Sequence, residues 1–312
     1  MTTFLAVNEI RQSGKPENPG RTHSRLPSWF KVKIERGSHY REIRQIVDRR
    51  GLHTICEEAR CPNIWECWNN GTATFLILGD VCTRRCHYCA VKTGRPGGLD
   101  TGEPGRVADA VRAMKLSHAV ITSVNRDDLS DGGASIFVET IRQIRYKVPL
   151  CSIEVLIPDF QGNPAALASV VEAGPDILNH NIETVRRLFP KIRPQGKFDR
   201  SLKVLNQAKQ MGSTTKSGLI AGLGESIAEL CEVMRELRKV DCDILTIGQY
   251  LQPTKDHEPV HRFYTPEEFQ TLEKKGLNLG FRYVESGPLV RSSYHAEQQT
   301  GKTLNGEELA CS

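Results

Sequence analysis

From Thr72 onward the chain alternates short apolar runs with amphipathic stretches, and this rhythm sets its frame. The runs are TATFLIL (72–78), HAVITSV (118–124), CSIEVLI (151–157), DILNHNI (176–182), TTKSGLI (214–220) and DILTIGQYL (243–251). Helical periodicity fills the intervals at 106–115, 132–147, 163–173, 199–211 and 225–239. Continuous apolar strands separated by helices predict a parallel α/β sheet covered on its outer side. Six such units make either an open doubly wound sheet or an incomplete β/α barrel. In both, functional residues collect at the carboxyl ends of the strands. A helix opening at TPEEF (265–269) then leads to a last strand, FRYVESG, and a polar tail. Ahead of the array, residues 1–28 are rich in Gly, Pro, Asn and charge, which predicts an arm with little core. Tyr40, Ile43, Ile46 and Val47 are spaced to share one helical face. The chain thus divides into an arm (1–28), an N-terminal extension (29–71), the β/α array (72–286) and a C-terminal segment (287–312).

Composition narrows the classes only slightly. Against 37 Asp and Glu stand 42 Lys and Arg, a formal charge of +5. That excess is too small to indicate nucleic acid, and it suits an acidic protein partner equally well. No apolar run approaches the roughly 18 residues needed to span a bilayer. The opening MTTFLAVNEIRQ has too short an apolar stretch for a signal peptide. The expected compartment is the cytoplasm, where ten cysteines read as ligands, nucleophiles or core residues rather than disulfides.

Six of those cysteines fall within residues 56–89, in two sets. GDVCTRRCHYCAV follows the first strand and spaces Cys82, Cys86 and Cys89 as C-x3-C-x2-C, with Tyr88 before the third. Three thiolates on one loop can each bind one iron of a [4Fe–4S] cube and leave the fourth iron open. Structural zinc asks for four protein ligands, and His87 is poorly placed inside the loop to supply the fourth. Upstream, CEEARCPNIWEC spaces Cys56, Cys61 and Cys67 as C-x4-C-x5-C, again with one iron unaccounted for. Three buried thiols on a capping segment would be the plain reading of that second set, but their density beside another three-cysteine set argues against it. Cys151, Cys231, Cys242 and Cys311 receive no role.

A C-x3-C-x-aromatic-C loop after the first strand of a β/α array resembles the radical S-adenosylmethionine (SAM) superfamily. GLIAGLGE (218–225) agrees with that superfamily's G-x-I-x-G-x-x-E pattern through Gly218, Ile220, Gly222 and Glu225. The resemblance implies a partial (β/α)6 barrel. It also implies that SAM chelates the open iron and is cleaved to a 5′-deoxyadenosyl radical. Adding CEEARCPNIWECW, VNRDDLSDGGA (124–134), HNIETV (180–185), KIRP (191–194), QYLQP (249–253) and GPLVRSSYHA, the chain resembles the lipoyl synthase family from about Pro27 to Tyr294. By its residue types alone, RSSY is a surface turn or a helix N-cap.

The family resemblance implies more. Cys56, Cys61 and Cys67 would bind an auxiliary [4Fe–4S] cluster with Ser293 as the fourth ligand, while Cys82, Cys86 and Cys89 hold the SAM-binding cluster. The implied reaction inserts sulfur at C6 and C8 of an octanoyl-lysine on a lipoyl carrier domain, with the auxiliary cluster as donor. Tyr88, Asn125, Asp127, Asn181, Gly218, Gly222 and Glu225 are the candidate SAM contacts, with Arg126 and Glu183 beside them. Arg193, Lys216 and Arg291 are candidate substrate contacts, each with an ordinary salt-bridge alternative. His180 reads equally as a core histidine. Implied partners are the octanoylated carrier, an electron donor such as ferredoxin or flavodoxin, and an iron–sulfur carrier. A biotin synthase-like enzyme would lack the second cysteine set and the RSSY tail. A ferredoxin-like carrier would have little use for six β/α units.

Overall fold

The computed structural model describes residues 3–6, 26–34, 43–47, 52–58 and 61–300. Tyr40 and Cys311 lie outside these. The opening strands, β1 (Thr3–Ala6) and β2 (Lys31–Ile34), pair antiparallel, a pairing that the composition of the arm did not suggest. A short helix, α1, covers 43–47, and Ile43 and Val47 on it are buried. A two-residue strand β3 (His53–Thr54), helix α2 (Ile55–Glu58) and helix α3 (Ile64–Asn69) complete the extension.

The array begins at β4 (Thr72–Ile77), followed by two-residue strands β5 (Val81–Cys82) and β6 (Lys92–Thr93) in the cysteine loop. Its alternating units are α4 (Glu103–Ala113), β7 (His118–Ser123), α5 (Ala134–Lys147), β8 (Ser152–Leu156), α6 (Pro164–Glu172) and β9 (Ile177–Asn179). They continue through α7 (Phe189–Ile192), α8 (Phe198–Gln210), β10 (Thr215–Ala221), α9 (Ile227–Lys239), β11 (Ile244–Gln249), α10 (Pro266–Asn278) and β12 (Tyr283–Gly287).

The main sheet runs β12-β11-β10-β9-β8-β7-β4-β3. From β4 to β12 every pairing is parallel and the spatial order follows the chain. A doubly wound sheet reverses its order at a switch point, and this one never does. The architecture is therefore the incomplete β/α barrel, and among the described residues no pairing closes it.

The register shows how the strands differ from uniformly apolar runs. Thr72, His118 and Ser152 lie side by side, as do Leu156, Asn179 and Lys216, then Gly218 and Thr246, then Gly248 and Gly287. This inner face is largely polar. The alternate residues (Ala73, Phe75, Ile77, Ala119, Ile121, Ile153, Val155, Leu178, Leu219, Leu245, Ile247) pack in the hydrophobic clusters. Strong caps start the later helices: Ser226 and Thr265 each form a capping box, with Glu229 and Glu268.

Candidate functional site

The loop after β4 brings Cys82, Cys86 and Cys89 to the carboxyl ends of the strands. Cys82 is buried and the other two half-buried. Backbone N–H groups of Arg84 and Asn125 donate to Cys82 Sγ at 3.4 and 3.3 Å, and the Asn125 amide lies 3.8 Å away. The other end of the loop is strapped by residues after β11. Glu258 N–H donates to the His87 carbonyl, and His257 Nε2 lies 2.8 Å from the Cys89 carbonyl. Since a carbonyl only accepts, His257 Nε2 donates to it, while Nδ1 lies 2.8 Å from the Thr254 hydroxyl. Burial pushes the free Cys89 thiol up to about 12 and raises that of Cys86.

Beside this loop the structure gathers Tyr88, Asn181, Glu183, Arg193 and Gly218. Glu183 accepts from the Asn181 amide at 3.1 Å and from Tyr88, and burial raises its carboxyl. It has a positive φ of 70° and forms a parallel bridge to Leu219, so the chain after β9 continues alongside β10. Arg193 is buried, donates to the Asn181 carbonyl at 2.7 Å, and leaves its Nε without a partner. Asn181 Oδ1 is likewise buried and unpartnered, and a Cβ on Gly218 would meet it at 2.7 Å. An orphan acceptor beside a glycine cradle is a fitting wall for an adenosyl group.

Other residues singled out by sequence stand elsewhere. Asp127 gives both carboxylate oxygens to Arg84, and Arg126 pairs with Asp128. Glu225 turns back on its own loop, accepting the Gly222 and Leu223 N–H groups at 2.6 and 2.9 Å, while Gly222 lies close against Gln249 and the Arg262 carbonyl. Lys216 is fully buried on the inner face, 2.9 Å from Glu154. His180 lies between the Ile157 carbonyl and the Ser201 hydroxyl, so its core reading holds.

A second set converges at the opposite end of β4. Cys56 on α2, Cys61 in the turn and Cys67 on α3 line a small cavity with Asn63, Thr72, Thr74, Arg291 and Ser293. Ser293 Oγ accepts from Thr74 at 2.9 Å. The segment after β12 is held there by Asn63 donating to the Leu289 carbonyl (2.7 Å) and by Tyr294 and His295 on Glu66. Arg291 donates to the Val290 carbonyl at 2.6 Å. Burial raises the Cys56 thiol to about 12 and raises Cys67 as well. Among the described residues no three His, Cys, Asp or Glu side chains crowd close enough to share a single ion. A cube does not ask for that, because each thiolate takes a different iron. Sequence spacing gave both triads; Thr74, Asn63 and the His257 strap carried no signal in it.

The model of the Radical SAM superfamily matches residues 76–237, and that of the N-terminal domain of lipoyl synthase of the Radical SAM family matches 6–61. The solved structure of HydG, a maturase of the [FeFe]-hydrogenase, superposes with a TM-score of 0.54 at 13% identity, over 84% of this chain and 74% of HydG. That likeness shows the fold. Fold and cysteine loop together define a radical SAM enzyme, a class that works with a [4Fe–4S] cluster and SAM. Among curated relatives, lipoyl synthase from Rubrobacter xylanophilus is 60% identical over 282 residues, covering 90% of this chain and 88% of its own. That of Symbiobacterium thermophilum is 56% identical over 306 residues, covering 97% and 96%. The chain belongs to the lipoyl synthase family. No helix among the described residues is long and apolar enough to cross a membrane.

Proposed function

We propose that this chain inserts sulfur at C6 and C8 of an octanoyl group held in amide linkage on a lysine of a lipoyl carrier domain. The observation that carries the reading is the pair of three-thiol sets, one at the strand ends and one around a cavity that also contains Ser293. Cys82, Cys86 and Cys89 would hold the SAM-binding cluster, and Cys56, Cys61, Cys67 and Ser293 the auxiliary one. When bound, the first supplies the electron that cleaves SAM and the second supplies sulfide.

The chain's own residues support each part. Two N–H groups directed at Cys82 suit a thiolate ligand that carries charge. Asn181, Gly218 and the Tyr88–Glu183 pair form a wall for SAM, with Arg193 behind them. Serine oxygen is harder than thiolate and a poorer match for the soft irons of a cluster, so Ser293 makes one corner of a sacrificial cluster the easiest to release. Arg291 reaches the same cavity, where a cation offsets the charge of three thiolates. The enclosing sheet keeps water from a reactive carbon centre. Basic residues near the barrel mouth would steer an acidic carrier domain. The reading also calls for a ferredoxin or flavodoxin as electron donor, an iron–sulfur carrier to renew the auxiliary cluster, and the cytoplasm as the place of work.

Anaerobic reconstitution followed by iron and sulfide analysis tests it, with about eight irons expected per chain. Changing Cys82, Cys86 and Cys89 together to Ala is expected to remove half of the iron and abolish SAM cleavage. The Cys56/Cys61/Cys67 triple change should retain some SAM cleavage but transfer no sulfur to an octanoylated carrier, read by mass spectrometry. Lipoyl product from that second variant would sink the donor assignment.

A further inference from the structure

Between Cys82 and Cys86 stand Thr83, Arg84 and Arg85, and the first two are tied to the ends of neighbouring strands. Thr83 donates to the Asn125 carbonyl through both N–H and hydroxyl, at 3.0 and 2.9 Å. Its Oγ accepts the Asp127 N–H at 3.1 Å. Arg84 is only 4% exposed although it sits on a loop. Its Nε and Nη2 donate to the two oxygens of Asp127 at 2.6 and 2.7 Å, and Nη2 also reaches Asp159 Oδ1 at 2.6 Å. Asp159 is fixed in turn by the Gln161 N–H at 3.0 Å and by Arg200 at 3.2 Å. Burial would raise the Asp159 carboxyl, but Arg84 overrides it and holds it well below the usual range. One planar fork thus joins the cysteine loop to the ends of β7 and β8, a geometry that lysine cannot reproduce.

The clamp bears on sulfur. With Arg84 fixed, its own N–H lies 3.4 Å from Cys82 Sγ, and the Asn125 N–H, held through Thr83, lies 3.3 Å from it. Hydrogen bonds to ligand sulfur draw charge from a cluster and favour its reduced form. We propose that Arg84 is a positioning residue for the radical-generating cluster: its fork onto Asp127 and Asp159 aims two N–H donors at Cys82 and so sets the reduction potential. The inference rests on Cys82, Cys86 and Cys89 being that cluster's ligands. It gives Asp127 a different part from the SAM contact expected from sequence.

The test uses full-length chain with Cys56, Cys61 and Cys67 changed to Ala, reconstituted with iron and sulfide so that a single cluster remains. Its potential is read by redox titration followed by electron paramagnetic resonance, with Arg84 intact, as Arg84→Lys and as Arg84→Gln. Both variants are expected to titrate at more negative potential, Arg84→Gln further than Arg84→Lys, and Asp127→Asn should shift the same way. An Arg84→Gln cluster at the parent potential overturns the proposal. Should Arg84→Gln fail to assemble, Arg84→Lys decides: a negative shift supports the clamp and the parent potential removes it. If neither variant holds a cluster, Arg84 serves only to fold the loop and the proposal falls. Failure to assemble with Arg84 intact would instead refute the ligand assignment on which it stands.

Discussion

Lys216 has no solvent exposure, and its ammonium group lies 2.9 Å from Glu154 Oε2 with the Asn179 amide on the other oxygen at 2.8 Å. Burial alone would raise the Glu154 carboxyl, but Lys216 first, then His118 and Asn179, bring it down to about 2 from 4.5. A depressed carboxylate contributes stability above its unfolded value and loses it as the folded value is crossed. The pair should therefore stabilise the fold fully above about pH 4.5 and release that contribution as the pH falls towards 2. Removing one partner of a buried pair leaves an uncompensated charge, a cost of about 3–5 kcal/mol. Lys216→Met is expected to lower the unfolding free energy of the metal-free chain, read by urea titration, by that order, and Glu154→Leu with Lys216→Met to lower it much less. Equal losses in the single and double variants would mean that the pair is not the source.

At the scale of elements, the segment after β12 is shaped by a glycine on β11. A Cβ on Gly248 would run into the Val290 carbonyl oxygen, with Arg291 Nη1 at 3.3 Å. Gly248→Ala must push Leu289–Ser293 away from the inner face, an overpacking cost of about 1–3 kcal/mol. On the proposed ligand assignment, iron per reconstituted chain should fall towards half while SAM cleavage persists; undiminished iron would show that Ser293 tolerates the shift. The longer helices of the array were legible in sequence to within about three residues, because their apolar stripes recur over several turns, whereas the four-residue α7 was not expected. Strand positions were legible too, but their character was not. Thr72, Thr74, His118, Glu154, Lys216 and Thr246 alternate with aliphatic residues, and strands of five to seven residues give only three repeats of that period. The cysteine spacings revealed both triads. Nothing local in RSSY pointed to the distant cavity, and only family resemblance did.

Over the whole molecule, the two ends of the barrel chain are stitched together. Asn63 holds Leu289, Glu66 takes Tyr294 and His295, Thr72 donates to Glu297, and Thr74 donates to Ser293. A chain ending at Gly287 loses all of these at once. Such a truncation is expected to keep the iron of the first triad and its SAM cleavage, to lose the other half of the iron, and to expose residues 61–69 to faster amide hydrogen exchange. Unchanged exchange there would mean that α3 docks on β4 without help. The same stitching has a meaning for biosynthesis. Asn63 and Leu289 are 226 positions apart, so at about 5–20 residues per second roughly 10–45 s separate their emergence from a ribosome. On the proposed ligand assignment, three thiols await throughout that interval a hydroxyl not yet translated. Iron offered early would meet an unfinished cage, which favours delivery to the released, folded chain.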